Sequence, residues 1–192
     1  LRLFVPLTEI YGRLALGSAK RPEEIQRLTQ ALEWIGRETT QMHYRIGASY
    51  AQAGHHDLAI PHFLRSIELF PTSRVWMALG NEYRVLGQWG RARDAFESAI
   101  ELNPDLATAH FGLAQAQLKL TSGGREKAVA SLARALELWP GYSKAALVLA
   151  QQYDGMGRAD LAVRTLEKSL EADKQSDTES VRRELERLQH RG

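Results

Sequence analysis

Apolar and small residues return along this chain at the spacing of helix faces. Trp76, Leu79, Gly80 and Tyr83 lie at offsets of three, four and seven, which puts all four on one side of a helix. Ile25, Leu28, Leu32 and Ile35 make a similar stripe behind Pro22, a residue suited to a first helical turn. No strand-like alternation accompanies these stripes. The segments Ala31-Leu-Glu-Trp34, Ser66-Ile-Glu-Leu69, Ala99-Ile-Glu-Leu102, Ala135-Leu-Glu-Leu138 and Ser169-Leu-Glu-Ala172 start 35, 33, 36 and 34 residues apart. Two helices of about 13 residues and two short turns consume such a period, so the pattern predicts stacked helix pairs. The expected fold is all-α, a solenoid of antiparallel pairs with about eleven helices, the last of them a C-terminal cap.

The clearest unit spans residues 73–106 and carries Trp76, Leu79-Gly80, Tyr83, Ala92, Phe96 and Pro104. In residue type and spacing it resembles the tetratricopeptide repeat. Gly80 and Ala92 lack bulk where two backbones approach, Tyr83 and Phe96 fill the space around them, and Gly87 relieves the turn between the helices. Pro104 stops the second helix, since it cannot continue the hydrogen-bond ladder. Residues 40–72 match with Ile46-Gly47, Tyr50, Gly54, Ala59, Phe63 and Pro71. Residues 107–142 keep Leu113-Ala114, Ala128, Leu132, Ala135 and Pro140, with a turn at Thr121-Ser-Gly-Gly124 two residues longer. Residues 143–175 keep Leu149-Ala150, Tyr153, Gly157, Ala162 and Leu166, with Lys174 where proline is expected. Residues 1–39 read as a degenerate first pair, in which Gly12 and Ala31 hold register, and residues 176–192 as a capping helix and tail.

Composition adds mainly exclusions. The 192 residues carry 25 Lys and Arg against 23 Asp and Glu, a net charge of +2 that demands no nucleic-acid or acidic-membrane partner. With no cysteine, thiolate metal sites, cysteine nucleophiles and disulfides are absent. No run is long and apolar enough for a membrane-spanning helix, which leaves a soluble fragment with its compartment open between cytoplasm and periplasm. The start at Leu1, with the apolar stretch LRLFVPL, is compatible with a removed signal, a tag or a larger upstream region, including an attachment to a membrane component.

Candidate chemistry is sparse. His55-His56-Asp57 and His62 invite a zinc reading, but His56 and His62 stand six apart and miss the pairing that aims two imidazoles at one ion, so a polar turn is expected. His43 and His110 occupy the place of Trp76 and are expected to pack as partly buried aromatics. Phosphate-loop and serine-elbow motifs are missing, paired carboxylates such as Glu184 and Glu186 read as solvated, and no enzymatic activity or cofactor is expected. Arg182, Arg183, Arg187 and Arg191 interleave with Glu179, Glu184 and Glu186, a mixed surface rather than a nucleic-acid stripe. Trp34, Trp89 and Trp139 sit near helix termini, where packing at the junctions is the expected use.

The resemblance implies a right-handed superhelix whose inner wall, built from the first helix of each repeat, holds a partner segment. On that wall Tyr44, Met77, Phe111 and Leu147 would form an apolar track, and Ala48, Asn81, Gln115 and Gln151 would follow one turn on, their amides suited to a bound main chain. Gln41, Arg74, Thr108 and Lys144, with Arg84 and Lys119, give a positive bias opposed by Asp154. The lysine and asparagine clamp by which some members hold a chaperone C-terminus fits poorly, because only Asn81 matches while Tyr44 and Met77 replace lysines. The expected function is therefore a non-catalytic scaffold binding a protein or peptide with apolar anchors and some acidic character. Two alternatives are a docking or regulatory domain of a larger bacterial membrane, pilus or polysaccharide-secretion assembly, and a self-associating homo-oligomer joined through the apolar track or the terminal helix, where exposed Val181, Leu185 and Leu188 would supply the contact.

Overall fold

The computed structural model describes residues 40–120, 124–172 and 178–190. Among the described residues there are nine helices and no strand: α1 (40–52), α2 (His56–Leu69), α3 (Ser73–Val85), α4 (Trp89–Leu102), α5 (Ala107–Leu120), α6 (Gly124–Leu138), α7 (Ser143–Gly155), α8 (Ala159–Ala172) and α9 (Glu179–Gln189). The number is nine rather than about eleven, and the pair expected before Thr40, with Pro22 and Trp34, lies outside the described residues. So do Thr121 to Gly123, Lys174, the segment Ser176-Asp177 and Arg191. The chain divides into two units, residues 1–71 and 72–192.

In the first unit α1 and α2 meet at Gly47, where an added Cβ would stand 2.9 Å from Cε1 of Phe63. Ser66 Oγ donates a 2.9 Å hydrogen bond to the Thr40 carbonyl, which satisfies a hydroxyl that is otherwise sealed from water. The helix-to-helix turn here, and its counterparts in the second unit, use Gly54, Gly87 and Gly157 at φ of 81°, 70° and 73°. A side chain is strained in that region, so the glycine expected at Gly87 is required by the turn itself.

In the second unit each helix from α3 to α9 packs on the next, and α3 also touches α5 while α7 touches α9. Thr72 starts α3, its Oγ1 accepting the Val75 N–H at 3.4 Å. The core is built from small residues at the crossings and larger ones between them. Ala114, Ala128, Leu132, Ala135, Ala145 and Leu149 form one cluster across α5, α6 and α7, and Ala146, Ala150, Ala162, Leu166, Val181 and Leu188 form another across α7, α8 and α9.

That second cluster overturns one expectation. Val181 and Leu188 are buried and Leu185 is half-buried, so the apolar stripe of α9 faces its own solenoid and is not offered to another copy. The polar side of α9 is tied down as well, since Arg187 reaches Asp154 of α7 at 2.9 Å and Glu184 at 2.7 Å. Glu184 is thus a partly buried ion-pair partner rather than a solvated carboxylate. Arg183 pairs with Glu179 one turn earlier on the same helix.

Candidate functional site

A cavity of about 430 Å³ opens in the second unit, lined by Arg84, Trp89, Gln115, Leu118, Lys119, Arg125, Val148, Gln151 and Gln152. Helical spacing explains the grouping. Gln115, Leu118 and Lys119 stand at i, i+3 and i+4 on α5, and Val148, Gln151 and Gln152 repeat that spacing on α7. Arg84 and Lys119 occupy the last turns of α3 and α5, where a cation meets the negative end of the helix dipole. Trp89 opens α4 and Arg125 stands in the first turn of α6.

Chemically the lining has three parts. Trp89, Leu118 and Val148 supply apolar surface, three glutamine amides supply donors and acceptors, and Arg84, Lys119 and Arg125 supply positive charge with no carboxylate among the lining residues. Arg84 also lies close enough to Tyr142 for its charge to act on the phenol: burial pushes the Tyr142 hydroxyl up from its usual range, and the guanidinium pulls the other way. Tyr142 has Phe111 at 5.1 Å and Trp139 at 4.7 Å between ring centroids.

Of the residues singled out from sequence, the structure brings Arg84, Gln115, Lys119 and Gln151 into this cavity. The others lie elsewhere on their helices. Met77 is half-buried on α3 and takes a 3.2 Å contact from Thr108 Oγ1. Phe111 and Leu147 are half-buried and partly spent on the core, while Asn81 is half-buried and Arg74, Thr108 and Lys144 are exposed. Tyr44 belongs to the first unit, half-buried against Phe63 at 5.9 Å. Asp154, expected to oppose the positive bias, is engaged by Arg187.

Five lining residues fall outside the site expected from sequence. Trp89, expected to pack at a junction, lines the cavity, and Leu118, Val148 and Gln152 carry a usable signal, the first two standing one turn from a selected residue and the third next to one. Arg125 carries none, because the longer turn before it breaks the register on which the alignment of repeats depends. Trp139 also departs from expectation: it is 50% exposed, with one face on Tyr142.

Three of the histidines, His43, His62 and His110, each meet a neighbour. His62 pairs with His43, Nδ1 to Nδ1 at 3.2 Å, and stacks on Tyr50. His110 Nε2 donates to the Pro104 carbonyl at 2.9 Å, and both His43 and His110 are partly buried as expected. Among the described residues no three His, Asp or Glu side chains gather as a metal would need. Burial, then the neighbouring His62 and Arg65, hold His43 below its ordinary value. Its proton is therefore bound more readily by the unfolded chain, and the stability it contributes is complete above about pH 6.5 and is lost as pH falls through the lowered folded value. Denaturation midpoints measured from about pH 7.5 to about pH 5 should fall, and His43→Phe should flatten that dependence.

Comparison with known proteins agrees with this architecture. Family models described as tetratricopeptide repeat match residues 40–73 and 120–183, and one described as TPR repeat matches residues 80–120. No curated protein matches the chain in sequence. Among solved structures, MamA is 20% identical with a TM-score of 0.65, covering 88% of this chain and 96% of its own. The thermophilic TPR protein TTC0263 of Thermus thermophilus is 21% identical at a TM-score of 0.60, covering 78% and 80%. The first TPR of Spaghetti (RPAP3), bound to the HSP90 peptide SRMEEVD, is 20% identical at 0.60, covering 63% and 95%. Among the described residues no helix is long and apolar enough to cross a membrane. With three matching models spread over residues 40–183, this chain belongs to the tetratricopeptide repeat family.

Proposed function

We propose that the second unit is a non-catalytic scaffold that captures a segment of a partner protein along the wall of α3, α5 and α7. The observation that carries this reading is the cavity in which three amides and three cations converge over apolar surface with no carboxylate in the lining. Amides that donate and accept suit a main chain whatever its side chains, and the cations select a segment with acidic character. Met77, Phe111 and Leu147 would meet its apolar anchors, with Asn81 one turn beyond Met77 and Arg74, Thr108 and Lys144 at the rim. Spaghetti holds an HSP90 peptide on the same fold, which makes segment capture a use the fold is known to support. We read the repeats as residues 40–72, 73–106, 107–142 and 143–175, with α9 as the cap.

The reading is tested by placing a photo-crosslinking residue at Gln115 or Gln151, and for comparison at Arg164 on α8, then exposing the whole chain to a cell extract. The same partner peptide should attach at both cavity positions and not at position 164. Equal attachment at all three positions would contradict the assignment.

A further inference from the structure

The three cations of the cavity call for a more specific occupant. We propose that Arg84, Lys119 and Arg125 form an anion subsite for a phosphoryl group carried by the partner segment, an inference that rests on the capture reading above. They come from three different helices, α3, α5 and α6, and converge on one hollow of about 430 Å³. Charges of one sign that share a hollow repel each other when it is empty, so the arrangement favours a bound anion.

Elsewhere among the described residues some arginines are held by carboxylates. Arg134 is held by Glu137 and Asp105, Arg187 by Glu184 and Asp154, and Arg93 by Asp94. At the cavity no lining carboxylate plays that part, and Asp154, the acid that follows Gln151 and Gln152 on α7, is already taken by Arg187.

Charge and shape favour a phosphoryl group over a carboxylate. A phosphoryl monoester carries about −1.5 to −2 charges and three acceptor oxygens, whereas a carboxylate carries one charge and two oxygens. Two guanidinium forks and an ammonium offer enough donors and charge for the former. Gln115, Gln151 and Trp89 line the same space, and amide and indole N–H groups are neutral donors.

The test follows the Trp89 indole and the glutamine side-chain amides of the whole chain by NMR while inorganic phosphate, blocked phosphoserine or acetate is added at constant ionic strength. Phosphate and blocked phosphoserine should give saturating shifts at these groups, with acetate weaker by about tenfold or more. Arg84→Gln combined with Arg125→Gln should weaken phosphate by a similar factor, while Arg164→Gln with Arg182→Gln, on α8 and α9, should leave it unchanged. Acetate binding as well as phosphate, or a double variant that keeps its affinity, would overturn the subsite, and so would exclusion of phosphoserine where free phosphate enters. Retained crosslinking at Gln115 with no phosphate response would remove the subsite alone, whereas phosphate binding without crosslinking would remove the capture reading.

Discussion

Replacing Phe96 with alanine is expected to lower the unfolding free energy of the chain by about 3–5 kcal/mol, because its ring is the shared filler of two helix crossings. Phe96 is 1% exposed. A Cβ on Gly80 would stand 2.8 Å from its Cε1, and a Cβ on Gly112 only 2.5 Å from its Cζ. Both glycines leave their space to the ring. Alone, Gly112→Ala should cost about 1–3 kcal/mol through overpacking, even though alanine favours a helix by about 1 kcal/mol over glycine. In the Phe96→Ala background the clash is gone, and the same change should become neutral or stabilising. Gly80→Leu belongs to the same series, with a cost at the upper end of the range. Urea denaturation of the four-member cycle reads the coupling directly. Equal costs for Gly112→Ala in both backgrounds would show that the ring and the glycine do not share the space.

The packing is legible in the sequence because it is written in small residues at fixed offsets. Ala59, Ala92, Ala128 and Ala162, all picked out by the period, are each fully buried. Gly112 escapes such a reading, since its partner Phe96 lies in the preceding pair and the repeat pattern compares residues within a pair only. The end of the solenoid is legible as a cap, but the docking of its apolar face is not, for a related reason. Arginine and glutamate dominate α9, and that composition suggests a helix bathed in water. Yet Val181, Leu185 and Leu188 make one stripe at i, i+4 and i+7, and such a stripe docks on the last open helix pair because that surface would otherwise stay wet.

The candidate site is half legible for a different physical reason. Positions on one helix are ordered by spacing, so Gln115 with Lys119 and, on α7, Gln151 follow from the period once the resemblance has said which helix forms the inner wall. Which residues of separate helices share a cavity depends on the turns between them. The longer turn before α6 delivers Arg125 to the cavity, and the start of α4 delivers Trp89, and neither placement follows from a helical repeat. Met77 and Phe111 fit the spacing of a free apolar track, but each already has a neighbour, Thr108 in one case and Tyr142 in the other.

That sharing decides how the capture surface is best challenged. Phe111→Glu would disturb the contact with Tyr142 and mix a folding defect into the result, so the cleaner pair is Met77→Glu with Gln151→Glu. Glutamate is a good helix former, Gln151 is exposed and Met77 is half-buried, so helical content should hold. The first change removes an apolar anchor and the second sets a negative charge beside Arg84 and Lys119, against an acidic segment. Once crosslinking has delivered the partner peptide, its titration into the wild-type chain and this double variant by calorimetry is the most direct measurement. Affinity is expected to fall about a hundredfold in the variant with an unchanged circular dichroism spectrum. Equal affinity in both chains would contradict the account.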